Sequence, residues 1–317
     1  MTLPVWLEEP VQQLFSVRDQ NRLPHAVLLQ GVGGWGETQL TSYLALKLID
    51  KPTGTFLSME AETVAHPDLH WVQSEKPGGQ ISIDQIRSLA AYMVQSVQIA
   101  ARKVAVILHA ENMNQHAANA LLKTLEEPPP DSLLILMTTS PAELLPTIRS
   151  RCQTLSLKPG TRDEASNWLK NHFDDLDHSA VNSLLFEYGG APFQVLSALE
   201  QKEAPLLLTL QHILKRPDQV EAVVENWLKL DLDLLLCRWM RYVAELQRAH
   251  VQGEVAGFFK DLAPITGHLN PDGLHKFWQE LVWTRKLIHS TSNPNVSLLL
   301  EKLLLHWCAL GHTRTAA

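Results

Sequence analysis

Five short apolar runs punctuate the first half of the chain, and few folds accommodate their spacing. Ala26–Gln30, Leu69–Gln73, Val104–Leu108, Leu133–Met137 and Thr154–Leu157 each have the length of a buried strand. Stretches of helical period lie between them. Ser82 and Gln85 make an S-x-x-Q capping box, after which Ile86, Leu89, Ala90, Met93, Val94 and Val97 recur at helical spacing. Ala118, Leu121, Leu122 and Leu125 mark another helix face. It ends at Pro128-Pro129-Pro130, which cannot donate backbone hydrogen bonds. Strands alternating with helices predict a parallel sheet covered on both faces.

After about Lys158 the β-branched runs stop and helical period takes over. Pro159-Gly160 reads as a linker, and Gly189-Gly190 and Pro192 punctuate a small helical group. From Ala204 the chain is leucine-rich, with helices expected over Val220–Leu230, Leu232–His250, Gly273–His289 and Val296–Leu310. Breaks are expected at Pro217, Gly253, Pro271 and Pro294. The expected organisation is an α/β domain over 1–158, a helical lid over 159–203 and an all-helical domain over 204–317.

Charge and cysteine content narrow the function. Lys+Arg number 27 against Asp+Glu 34, a formal net charge of −7, and no block of basic residues occurs. A chain that grips duplex DNA unaided carries a basic stripe to displace counterions, so DNA binding by this chain alone is not expected. Cys152, Cys237 and Cys308 are far apart and form no CxxC pair, so neither a disulfide framework nor a cysteine-built zinc site is expected. The stretch MTLPVWLEEP lacks the basic and apolar regions of a secretory leader, and no window has the apolar length of a membrane span. The expected location is the cytoplasm.

Gly31-Val-Gly-Gly-Trp-Gly36-Glu37-Thr38 joins an expected strand to an expected helix. The phosphate-loop pattern is G-x-x-x-x-G-K-[ST]. Gly31, Gly36 and Thr38 keep its register, but Glu37 stands where the phosphate-binding lysine belongs. A carboxylate there repels triphosphate oxygens, so the loop reads as a degenerate nucleotide site. A second part of an ATPase centre is also absent. Val104–Leu108 ends in His109 rather than a metal-holding acid, and Glu111 lies two residues further on. His109 reads as structural, and Cys152 as a small apolar residue rather than a nucleophile.

The most specific string is Asn119-Ala-Leu-Leu-Lys-Thr-Leu-Glu-Glu-Pro128-Pro129. Together with Ser150-Arg151-Cys152, Leu23-Pro24-His25-Ala26 and Thr138-Thr139 after the Leu133–Met137 run, it resembles the bacterial clamp-loader family of AAA+ proteins. The resemblance implies a RecA-like AAA+ domain, a helical lid and a C-terminal helical collar that assembles subunits into a ring. It implies a role in loading the sliding clamp for DNA polymerase III. The spoiled loop, the missing acidic pair and the intact Ser-Arg-Cys string resemble the family's non-hydrolysing stator subunit. The family's second sensor arginine has no counterpart at Gly190-Ala-Pro192-Phe193. Its four-cysteine zinc module is also missing, since Ile49–His70 contains no cysteine and retains only His66 and His70.

On this resemblance Arg151 is the residue expected to act, entering a neighbouring subunit's site as an arginine finger. Ser150 and Cys152 would complete the interface motif, and Arg149 is the decoy. The implied partners are gamma/tau-type ATPase subunits and a delta-type subunit in a hetero-pentamer, with DNA met only within that complex. No cofactor, metal or membrane is expected. The alternatives are an ATP-hydrolysing AAA+ motor subunit with an atypical phosphate loop, and a helical adaptor of another assembly. Asn119–Glu127 reads equally as an interface helix or an ordinary packed one, with Lys123 and Glu127 able to pair at i,i+4. Among the tryptophans, Trp227, Trp239, Trp278, Trp283 and Trp307 are expected mostly in the core of the C-terminal helices, with some expected at the inter-subunit collar.

Overall fold

A computed structural model describes residues 3–20, 22–51, 64–76, 79–173, 176–252, 271–288 and 294–312. The chain forms two compact units, residues 1–164 and 165–317.

The first unit is built on a five-stranded sheet in the order β2-β3-β4-β1-β5, with every pairing parallel. The strands are β1 (Ala26–Gln30), β2 (Leu69–Val72), β3 (Lys103–Ile107), β4 (Ser132–Thr138) and β5 (Gln153–Ser156). All five expected runs are therefore strands. Every residue of β3 and β4 is buried, as the unbroken apolar runs require of strands covered on both faces. In β1, Leu28 lies opposite Leu136 of β4 and Thr154 of β5. The helices of this unit are α1 (Val5–Asp19), α2 (Glu37–Leu48), α3 (Ile83–Met93), α4 (Gln115–Glu126) and α5 (Pro146–Arg149).

Both sequence signals for α3 act locally. The Ser82 hydroxyl accepts from the Gln85 amide, and the Gln85 side-chain oxygen accepts from the Ser82 amide at 2.9 Å. Ile86, Leu89 and Met93 are buried. The expected continuation is not seen: α3 stops at Met93, and Val94 is 72% exposed. The chain leaves the helix because the next segment is held by Asp68. This buried carboxylate accepts the backbone amides of Gln98, Ile99 and Ala100 at 2.7–2.9 Å. The equally buried Lys103 ammonium lies 3.4 Å from it and 4.3 Å from the Tyr92 ring centre.

Burial by itself would raise the Asp68 pKa. The three amide bonds and Lys103 outweigh it and bring the carboxyl down to about 2. A carboxyl whose folded pKa lies below its unfolded value stabilises the fold above the unfolded pKa. That contribution is lost as pH falls through the folded one. Asp68 is thus expected to supply about 2–3 kcal/mol above about pH 5, vanishing toward pH 2. Urea melts of the wild type and Asp68→Asn across pH 2–6 should converge at the acid end, and parallel curves would contradict this.

The second unit contains the rest of the chain from within α6 (Arg162–Lys170), with α7 (His178–Glu187), α8 (Pro192–Glu200), α9 (Leu206–Lys215), α10 (Val220–Trp227), α11 (Leu232–Gln252), α12 (Pro271–Ile288) and α13 (Val296–His312). α12 begins at Pro271, where a break is expected, and a proline in a first helical turn costs no intrahelical bond. The break expected at Gly253 lies outside the described residues. Trp239 centres the core, packed edge-on to Trp227, Phe277 and Trp307 with ring centres 5.3–6.0 Å apart. Trp278 is partly buried. Trp283 lies outside the core: it is 53% exposed, with the Lys302 ammonium 5.9 Å from its ring centre.

A buried charge network ties α7 to α11. Arg238 and Glu187 form an ion pair with both side chains almost wholly buried. The Glu187 carboxylate also accepts from the Leu206 amide at 3.1 Å and the Tyr242 hydroxyl at 2.6 Å. Arg238 reaches Glu203 at 3.0 Å and lies over the Tyr188 ring. Segments 159–203 and 204–317 thus share one set of buried polar partners. Removing one member of a buried pair leaves an uncompensated charge. Glu187→Leu is expected to cost about 3 kcal/mol or more, read as a lowered urea midpoint.

Candidate functional site

The glycine loop follows β1 at the carboxyl ends of the strands. There β1 and β4 are neighbours whose outgoing connections lead toward opposite edges of the sheet, to β2 and β5, the kind of switch point at which open parallel sheets bind ligands. Gly31 is fixed by its amide, which donates to the Thr138 carbonyl at 3.0 Å. Gly36 caps α2 at a φ of 96°, a left-handed conformation that residues with a Cβ seldom adopt. Trp35 is pinned from the side: the Trp6 indole donates to its carbonyl at 3.0 Å, and the two rings meet nearly at right angles.

Glu37 turns back into this loop. It is only 4% exposed. Its Oε1 accepts the Val32 amide at 3.1 Å and the Gly33 amide at 2.9 Å, and its Oε2 accepts the Trp35 amide at 2.9 Å. A loop of converging amides at a helix N-terminus suits an anion. Here the chain's own carboxylate is that anion. A methyl group at Gly31 would come within 2.2 Å of the Glu37 Cγ, so the space beside Gly31 is filled as well. The residues present therefore do not fit a nucleotide phosphate. The sequence pointed to repulsion by Glu37, whereas the geometry adds occupancy, because the donors a phosphate would use are already bonded. Thr38 is the second residue of α2 and half-buried.

Glu111, just after β3, is engaged through one oxygen, while its Oε2 is buried without a hydrogen-bond partner. Glu111 Oε1 accepts the Thr139 hydroxyl at 2.9 Å and the Thr139 amide at 3.2 Å, and lies 3.7 Å from His109 Nδ1. Burial pushes this carboxyl up, but hydrogen bonds from His109, Thr138, Thr139 and its own backbone prevail and hold it at about 2. The Thr138-Thr139 segment is thus joined to both the loop and the end of β3. His109 has a left-handed backbone, with φ 50°.

Arg151 belongs to a second locus. It follows the short α5, and its guanidinium bridges two elements. Nη1 donates to the Thr147 carbonyl at 3.0 Å, and Nη2 donates to Glu126 Oε1 at 2.7 Å. The side chain is 36% exposed. Ser150 donates its hydroxyl to the Thr147 carbonyl at 3.1 Å. Cys152 packs partly buried against the sheet's core, and burial pushes its thiol up to about 11, which suits packing rather than nucleophilic chemistry. The decoy Arg149 is exposed.

One expectation along α4 is corrected. No ion pair joins Lys123 and Glu127; Glu127 instead caps the helix, its amide bonded to the Lys123 carbonyl at 3.0 Å. The acid of α4 that meets Arg151 is Glu126. Sequence reasoning passed over it, although two acids at the negative end of a helix were a signal. Among the described residues no group of three or more His, Cys, Asp or Glu side chains is arranged to hold a metal ion, and no helix is long and apolar enough to cross a membrane. His66 is engaged with its neighbour, its Nδ1 accepting the Asp68 amide at 3.1 Å.

Comparison with known proteins assigns the chain. Residues 6–161 match the family described as DNA polymerase III, delta subunit, and residues 193–308 match that described as DNA polymerase III, delta subunit, C terminal. DNA polymerase III subunit delta' of Pseudomonas aeruginosa is 31% identical over 305 residues, covering 90% of this chain and 92% of the relative. The chain belongs to the delta' subunit family of DNA polymerase III. The delta' subunit of Escherichia coli is 27% identical, over 95% of this chain and 93% of the relative. A solved structure of a DNA polymerase III gamma subunit-related protein from Thermotoga maritima has the same fold, with a TM-score of 0.54 at 22% identity, covering 94% of this chain and 99% of that one. The Leu-Glu-Glu-Pro-Pro and Ser-Arg-Cys strings resemble the clamp-loader family, and the spoiled loop, the missing acidic pair and the intact Ser-Arg-Cys string resemble its delta' member, the family to which the chain belongs. As a delta' family member the chain is a DNA polymerase III subunit.

Proposed function

We propose that this delta'-family chain is the non-hydrolysing stator of the clamp loader, holding no nucleotide itself and lending Arg151 to the ATP site of an adjoining subunit. The observation that carries the reading is Glu37, whose carboxylate takes three amides of the loop. Glu111, tied to Thr139, supports it. Arginine is permanently charged and presents a planar fork suited to phosphate oxygens, so Arg151 can stabilise charge on the γ-phosphoryl group as it transfers. Ser150 and Cys152 set the turn that presents it. The partners of this reading are gamma/tau-type ATPase subunits and a delta-type subunit in a hetero-pentamer, which loads the sliding clamp onto primed DNA.

The test is reconstitution with those subunits and measurement of DNA-stimulated ATP turnover, with wild type and Arg151→Ala. Magnesium-dependent binding of labelled ATP by the purified chain alone would overturn the proposal.

A further inference from the structure

The two strings that most marked this sequence meet in space. Glu126 closes α4 within Leu125-Glu126-Glu127-Pro128, and its carboxylate is bonded to the arginine of Ser150-Arg151-Cys152 at 2.7 Å, 25 residues along the chain. We propose that Glu126 is the positioning residue for Arg151, fixing its guanidinium in the geometry a neighbouring subunit's triphosphate meets. This rests on the donor role proposed for Arg151 above.

Three observations support it. The first is local cost. An acid in the last turn of a helix faces the negative end of the helix dipole. Glu126 and Glu127 end α4 with two. A choice unfavourable to the helix itself marks a residue kept for another contact. The second is the geometry of the hold. Arg151 is pinned at two points on two elements, Glu126 of α4 and the Thr147 carbonyl of α5. Two terminal nitrogens are thus engaged from within the chain, and with five N–H donors on the guanidinium some remain for phosphate oxygens. The third is burial. With side chains 36% and 51% exposed, the pair lies at the surface. Exposed ion pairs contribute little to stability. A long side chain held in one rotamer instead meets its ligand already ordered, which is where such a pair has effect.

The test uses the reconstituted complex. Glu126→Ala is expected to lower kcat for DNA-stimulated ATP hydrolysis roughly tenfold, since small misplacements of a catalytic group are costly. KM for ATP should change less than about twofold, because the arginine acts on the transition state rather than on ground-state binding. Glu126→Gln, which keeps an acceptor oxygen but not the charge, should fall between. Melting of the isolated variants should match wild type. In an Arg151→Ala background Glu126→Ala should have no further effect, a non-additivity that a merely structural residue would not show. Unchanged kcat in Glu126→Ala, or an equal loss with and without Arg151, overturns the proposal. A rise in kcat also overturns it, making Glu126 a restraint on the arginine rather than its support. If Arg151→Ala itself leaves turnover unaltered, the donor reading fails first and this proposal falls with it.

Discussion

In the reconstituted complex, Arg151→Ala is expected to lower turnover at the adjoining ATP site by about 10³ or more while the subunits still assemble. The magnitude follows from what a guanidinium does in phosphoryl transfer. Charge accumulates on the transferred group in a site from which water is excluded, and a fixed cation there costs no reorganisation when the reaction occurs. Arg151→Lys should recover only a small part of the loss, because an ammonium keeps the charge but not the planar fork. Assembly should be spared, since the ion pair broken is an exposed one with Glu126, worth about 0–1 kcal/mol. Arg149→Ala is the control: that residue stands two positions earlier and is exposed, and its loss should change turnover less than about twofold. Turnover indifferent to Arg151→Ala, or equally sensitive to Arg149→Ala, would remove Arg151 from the role. Where several ATP sites contribute to one assay, single-turnover measurement separates the affected site from the rest.

Much of the fold was legible because burial writes itself into sequence. Strands covered on both faces are largely apolar, and Val104–Ile107 of β3 and Leu133–Met137 of β4 show this as unbroken runs. The α3 cap was legible because both its partners lie within one turn, Ser82 and Gln85. What escaped was non-local. Nothing near Val94 reveals that Asp68, some 30 residues earlier, gathers the amides of Gln98, Ile99 and Ala100 and so ends the helix. Likewise Glu187 and Arg238 are 51 residues apart, and neither position betrays that it is buried with the other. The site divides the same way. Glu37 was conspicuous as an acid in a lysine's place, but only the folded loop places its carboxylate on three amides. Glu126 was overlooked because helical spacing offered Lys123–Glu127 instead, whereas the true partner, Arg151, comes from beyond β4 and α5.

Glu37→Ala is expected to destabilise the first unit by about 2–4 kcal/mol and, at the same time, to open an anion site that the wild type lacks. Removing the carboxylate leaves the amides of Val32, Gly33 and Trp35 without their acceptor. The Trp35 amide is buried, and a donor so stranded costs about 1–3 kcal/mol, whereas the Val32 and Gly33 amides are only part-buried and water can take the acceptor's place. The same amides, at the N-terminus of α2, then resemble an ordinary phosphate cradle. Inorganic pyrophosphate at millimolar concentration should raise the melting temperature of Glu37→Ala through mass action and leave the wild type unmoved. Glu37→Gln should lie between them. Its amide oxygen can still accept from Val32 and Gly33, but its NH2 group would meet the Trp35 N–H, donor against donor. Two outcomes distinguish occupancy from repulsion as the reason the loop is silent. If Glu37 only repelled phosphate, Glu37→Ala would bind pyrophosphate without losing stability, because no hydrogen bond would have been removed. If the carboxylate is the loop's built-in ligand, stability falls first and the added anion restores it, since one set of donors serves both. A variant as stable as wild type and indifferent to pyrophosphate would refute both accounts and leave the glycine turn a simple connection between β1 and α2.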